Sequence, residues 1–159
     1  MLRAAALLLY LSSQVTAAEV TEAKRIEIYQ ALYAASARAG AEAEGRIPTP
    51  DLSRGPMNKA EMGKVLAAQA NLKERLADKR LAAVRAKYGI SDDQAGAITM
   101  EGITKSWPFP AGVRYYVNLQ GEAYHFDDCK YVKPGARSTS LDEARRARRP
   151  CTNCKPPQH

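Results

Sequence analysis

Residues 124–156 read YHFDDCKYVKPGARSTSLDEARRARRPCTNCKP, and this tract holds all three cysteines of the 159-residue chain and one of its two histidines. The spacing is His125-x3-Cys129, 21 intervening residues, then Cys151-x2-Cys154. Zinc takes four soft or borderline ligands in a tetrahedron, and proteins supply them as two close pairs from separate segments. The four residues make a complete Cys3His set, which predicts one Zn²⁺ held by His125, Cys129, Cys151 and Cys154. Four protein ligands leave no position for an activated water, so the expected site is structural rather than hydrolytic. A tail of roughly 45 residues buries too little apolar surface to fold easily alone, and a metal would supply the missing stability. The competing reading is a Cys151–Cys154 disulfide, or a bridge from Cys129 to one of them, with one thiol left over. An exported chain with three cysteines cannot pair them all internally, which counts against it.

The order Tyr-His-x3-Cys, a Ser-Leu-x-Glu-Ala helix start, then Pro-Cys-x2-Cys-x-Pro resembles the small zinc-binding tail module appended to some bacterial secreted nucleases and competence-type proteins. That module is similar to the zinc-binding domain of the Ada DNA-repair protein. The resemblance covers residues 113–157 and implies zinc ligands at His125, Cys129, Cys151 and Cys154. Histidine stands where Ada has its first thiolate, and the intervening loop is short, so methyl-accepting chemistry is not implied. No nuclease domain accompanies the module here. The run YGISDDQAGAITMEGITKSWP also looks like a segment of uncharacterised exported bacterial proteins, a likeness that names no activity.

The chain opens MLRAAALLLYLSSQVTAAEV, with Arg3, an apolar run and a small-residue pattern in the order of a secretory signal. Residues 1–18 are therefore expected to be removed near Ala17 or Ala18, giving a periplasmic or extracellular protein. The apolar run is far short of the ~20 residues that a spanning helix needs. From residue 112 onward nine basic residues face five acidic ones, so the positive excess gathers beside the proposed metal. A basic surface favours nucleic acid or another polyanion. Arg114, Lys130, Lys133, Arg137, Arg145, Arg146, Arg148 and Arg149 are the candidates for such contacts. A merely solvated basic face competes with that reading.

The remaining chain reads as α+β: an N-terminal helical hairpin or three-helix domain followed by a small zinc-bound β-hairpin plus helix module. The helical domain takes residues 19–107 with a loop at 44–57, a linker takes 108–112, and the module takes 113–157. Val20, Ala23, Ile26, Tyr29, Leu32, Tyr33, Ser36 and Ala37 put a first helix at 19–43, with Arg38 mostly off its apolar face. Asn58 and Glu61 form a capping box for a second helix of about 30 residues, with Met62, Val65, Leu66, Leu72, Leu76, Leu81, Val84 and Tyr88 as its stripe. Gln69 interrupts that stripe. The length also admits a coiled-coil homodimer, against which the slip between Leu76 and Leu81 argues. Gly89 stops it. Ser91 and Gln94 open a third helix running to about Lys105, with Ala95, Ile98, Met100 and Ile103 apolar. Trp107-Pro-Phe-Pro ends it, and Trp107 is expected to cap the bundle or pack between the two parts. A carbohydrate- or peptide-stacking Trp is the other use of such a residue.

Val113, Tyr115, Val117 and Leu119 alternate with polar residues as a strand, Gln120-Gly121 turns, and residues 122–126 return. Lys133-Pro134-Gly135 starts a flexible stretch, and Ser140 with Glu143 opens a last short helix. Asp127 or Asp128 is the expected partner for the second nitrogen of His125. No phosphate-binding glycine loop or nucleophile motif is present, and the adjacent carboxylate pairs are splayed. The leading expectation is thus a non-catalytic exported binding or interaction protein. Polyanion binding is the second reading, and a Cys151–Cys154 thiol oxidoreductase the third, weakened by two further ligands and the lack of a βαβ pattern.

Overall fold

A computed structural model of the protein describes residues 20–50 and 58–158. The expected signal at 1–18, residues 51–57 of the expected loop, and His159 lie outside them. The chain is α+β. Its elements are α1 (Glu22–Arg46), α2 (Lys59–Tyr88), α3 (Asp92–Thr104), β1 (Tyr115–Val117), β2 (Ala123–Phe126), β3 (Arg137–Thr139), α4 (Leu141–Ala147) and β4 (Arg149–Pro150).

Local chemistry sets the helix ends. Thr21 caps α1, accepting from the Lys24 N–H. Asn58 caps α2 by accepting from the Ala60 N–H, earlier in the turn than the expected box with Glu61. Gly89, at φ 64°, supplies the left-handed stop. The Ser91/Gln94 box is formed in both directions. At α4 only half of the expected box forms. Ser140 accepts from the Glu143 N–H, while the Glu143 carboxylate turns instead to Thr139 and Arg137.

The first core is built from Ile28, Tyr29 and Leu32 of α1, Ala95 and Ile98 of α3, and Trp107. Tyr29 and Tyr33 lie 4.8 Å apart between ring centroids, and Trp107 meets Tyr29 edge-on at 5.7 Å. Trp107 thus caps the helical bundle. Its backbone N–H closes on the Gly102 carbonyl, and a Cβ at Gly102 would come within 2.3 Å of the Tyr29 ring. Met100 and Ile103, expected as apolar packing residues, are exposed.

The long stripe expected on α2 is only partly used. Leu81, Val84 and Tyr88 pack on the first core, but no residue of α2 is fully buried and Leu66 is 49% exposed. The cause is one-sided packing: α2 lies chiefly on α1, with only its last turns near α3. Gln69 breaks the stripe to hold the end of α1, donating to the Ile47 carbonyl and the Thr49 hydroxyl.

The second core gathers Tyr115 and Val117 of β1, Tyr124 and Phe126 of β2, and Ala144 of α4. The sheet order is β3-β1-β2-β4, with β1 antiparallel to β2 and β3, and β2 parallel to β4. The strand expected at 113–119 is regular only over Tyr115–Val117, and Leu119 turns out to solvent. The stretch expected to be flexible from Lys133 is pinned instead. The Asn118 side chain donates to the Tyr131 carbonyl and accepts from the Lys133 N–H, and β3 follows.

Both cores share α1. Its second half carries Ala41 onto the sheet core. Pro156 and Pro157 are fully buried, and α1, expected to end at Ala43, runs on past Gly45 to Arg46. A Cβ at Gly45 would meet the Lys155 carbonyl at 2.0 Å, so only glycine lets the tail backbone cross there.

Candidate metal centre

His125 lies on β2, whose alternation buries Tyr124 and Phe126 in the core and turns the imidazole to the opposite face. Cys129 follows on a turn closed by its N–H on the Phe126 carbonyl. The second pair arrives by β4. Arg149 and Cys151 donate N–H bonds to the Glu122 and Tyr124 carbonyls, each at 3.0 Å. Pro150, which has no N–H, falls between them, where a parallel ladder asks nothing of it. This pairing sets Cys151 beside His125. The Lys155 N–H then bonds the Cys151 carbonyl, closing the turn that brings Cys154 back to the same point, and Lys155 at φ 47° redirects the chain beyond it.

The four ligand atoms of His125, Cys129, Cys151 and Cys154 all lie within 4.8 Å of one another. Zinc–sulfur bonds of ~2.3 Å and zinc–nitrogen bonds of ~2.0 Å place neighbouring ligand atoms about 3.5–3.8 Å apart. Cys129 Sγ is 3.5 Å from His125 Nδ1, already at that spacing, which marks Nδ1 as the metal-facing nitrogen. The wider separations need only small side-chain rotations to close. Three of the four residues are buried and Cys154 is half-buried, so the cluster is shielded from bulk water. The residues fit one metal ion.

The surroundings treat the two knuckle thiols oppositely. Burial alone would raise the Cys151 thiol, but the backbone N–H groups of Cys154 and Asn153, together with bonds to the Cys154 and Cys129 thiols, hold the group below its ordinary value. Burial pushes the Cys154 thiol up to about 12, despite an N–H bond from Phe126, so its thiolate requires a cation beside it. Burial also lowers the His125 imidazole, favouring the neutral ring that a metal ligand must be.

The expected partners of the other imidazole nitrogen are committed elsewhere. Asp128 accepts from Arg38 Nη2 at 2.6 Å and pairs with Arg80 at 3.3 Å. Asp127 accepts the Asp128 N–H and lies 3.8 Å from Arg38 Nε. Both aspartates therefore lash the Cys129 turn to the helices. Glu42 completes the brace, 2.6 Å from Arg80 and 3.6 Å from Arg38, whose guanidinium lies 3.0 Å above the Phe126 ring centre. Burial works to raise the Asp128 carboxyl, but hydrogen bonds and charge from Arg38, then Arg80, hold it below its usual range. Arg38, expected largely off the apolar face, is buried. Sequence reasoning missed this group. The legible signal is Arg38, Glu42 and Gly45 at helical spacing beside Ala39 and Ala43, on a face without large apolar side chains.

Four of the eight basic candidates share one hollow. Arg145, Arg146, Arg148 and Arg149 line an open hollow of about 520 Å³ with Gly121 and Glu122. Arg149 pairs there with Glu122, and Arg145 lies 3.9 Å from Asp142. Arg137 is paired with Glu143, Arg114 bonds the Ser138 hydroxyl, and Lys130 lies over the Tyr131 ring. Lys133 is engaged through its backbone N–H. Comparison with protein-family models, with curated proteins and with solved structures finds no match to this chain.

Proposed function

We propose that this is a non-catalytic exported protein whose C-terminal part is a binding or interaction module shaped by one structural Zn²⁺. The observation that carries the reading is the convergence of one imidazole nitrogen and three sulfurs within 4.8 Å. Three thiolates with an imidazole favour zinc over harder ions such as Mg²⁺ or Ca²⁺, and a filled tetrahedron assigns the ion to structure. The likeness of the Pro-Cys-x2-Cys-x-Pro knuckle to Ada-like tail modules supports the same ligand set. The four-way convergence favours metal binding over a two-cysteine redox couple. Export rests on the N-terminal signal pattern; no helix among the described residues is long and apolar enough to cross a membrane. Metal analysis of the purified chain with thiol titration tests the centre. One zinc per chain, with three thiols that react only after denaturation, is expected. Less than half a zinc with two thiols oxidised overturns it.

The hollow lined by Arg145, Arg146, Arg148 and Arg149 favours a second reading, polyanion binding beside the metal. It predicts nucleic-acid binding that weakens steeply with salt, because phosphate contacts release counterions. Binding indifferent to salt counts against it.

A further inference from the structure

A second cavity lies where α1 and α2 meet the segment that enters the sheet, with Asp127 and Asp128 at one edge. It measures about 660 Å³, within the range of small-molecule sites. Each helix gives it one stripe at helical spacing: Ala31, Ala34, Ala35 and Arg38 on α1, and Arg80, Ala83, Val84 and Lys87 on α2. Small side chains keep the helices from filling the space, and cations stand at the ends of the stripes. Phe109, packed edge-on against Tyr33 at 4.9 Å, forms an aromatic wall, although Phe109 itself is 65% exposed.

The charges are unbalanced in one direction. Asp127 and Asp128 line the cavity but are held by Arg38 and Arg80. Lys87 and Arg114 also line it, and neither makes an ion pair with another described residue. Lys87 lies 4.9 Å above the Tyr88 ring, and Arg114 reaches only the Ser138 hydroxyl, at 3.4 Å. Arg80 Nε is buried without a hydrogen-bond acceptor, while Arg38 Nε and Nη1, also without a hydrogen bond, face Asp127 at 3.8 Å and Glu42 at 3.6 Å. An apolar trough whose lining carries four cations, Arg38, Arg80, Lys87 and Arg114, against two carboxylates, Asp127 and Asp128, selects a ligand with an apolar body and one negative end.

We propose that this cavity binds a small amphipathic anion, an aliphatic or aromatic body ending in a carboxylate, with the body against the alanine stripes and Phe109 and the charge toward Lys87 and Arg114. The site is independent of which metal the cysteines hold. The test uses the full zinc-loaded chain and 1-anilinonaphthalene-8-sulfonate as a fluorescent probe, displaced by decanoate or by decyltrimethylammonium. One saturable site is expected, with decanoate displacing the probe at least tenfold more effectively than the cation. Ala34→Trp, at an exposed position that lines the trough, is expected to weaken the probe at least tenfold with zinc content unchanged. Lys87→Glu with Arg114→Glu, both on exposed residues, is expected to abolish the preference for decanoate and covers the case in which the tryptophan variant fails to fold. Absence of saturable binding, equal displacement by the two amphiphiles, or a preference that survives the double charge reversal overturns the proposal.

Discussion

At the scale of single residues, one glycine has no room for a side chain. Gly45 lies where the Lys155 carbonyl passes 2.0 Å from the place a Cβ would take, and the obstacle is backbone that cannot rotate away. Gly45→Ala is expected to destabilise the fold by about 3 kcal/mol or more, at or beyond the upper end of overpacking costs. A urea midpoint falling together with zinc retention would register it. Tyr115 offers a second check. Burial first, and the Glu44 charge second, raise its phenol from 10.0 to about 12. A raised folded value favours the neutral ring, so its contribution to stability is complete below pH 10 and is lost as pH climbs toward 12. Ultraviolet titration is expected to show a late-ionising tyrosine that Tyr115→Phe removes. The ligand residues were readable because spacing alone specifies them. Arg38 was not, since a charge on an amphipathic helix reads as solvent-facing until its partners on α2 and beyond β2 are known.

At the scale of elements, helix boundaries followed their caps and stops, and the α2–α3 junction at Gly89, Ser91 and Gln94 was written out in full. The strands were legible in proportion to their length. β1 and β2 alternate and share a turn, whereas β3 is three residues with a polar face and β4 is two residues ending in proline. Neither could be inferred from propensity, because tertiary pairing creates them. The brace between elements predicts a contrast. Glu42 has a side chain only 8% exposed and faces Arg38, Arg80 and Arg46, whose own side chain is 44% exposed. Glu42→Ala leaves two largely buried guanidinium groups short of an acceptor and is expected to cost about 3 kcal/mol. Arg46→Ala removes a surface partner and is expected to cost under ~1 kcal/mol. Chemical denaturation of the two variants side by side checks both.

At the scale of the whole molecule, the helices and the cysteine tract are joined through α1, which contributes to both cores. Asp127 and Asp128 line the large cavity and sit immediately before Cys129. Removing the metal with a chelator is therefore expected to weaken probe binding in that cavity as well as to melt the sheet. Parallel titrations of near-ultraviolet circular dichroism and probe fluorescence would show the two signals falling together, and restored by Zn²⁺. Acidification acts in the same direction, because thiolates and imidazole must take up protons as the ion leaves.

The tail that passes beneath Gly45 also sets an order of events. A chain grows from its amino end, so the first long helix is made well before the prolines that cover it. Glu42 can already pair with Arg46 on the same helix and with Arg80 on α2, and Arg38 gains its aspartates once the Asp127-Asp128 turn is made, but the surface at Gly45 stays open until the tail arrives. The seat of the first helix at Gly45 therefore closes only after Pro156 and Pro157 have been made, long after the helix itself.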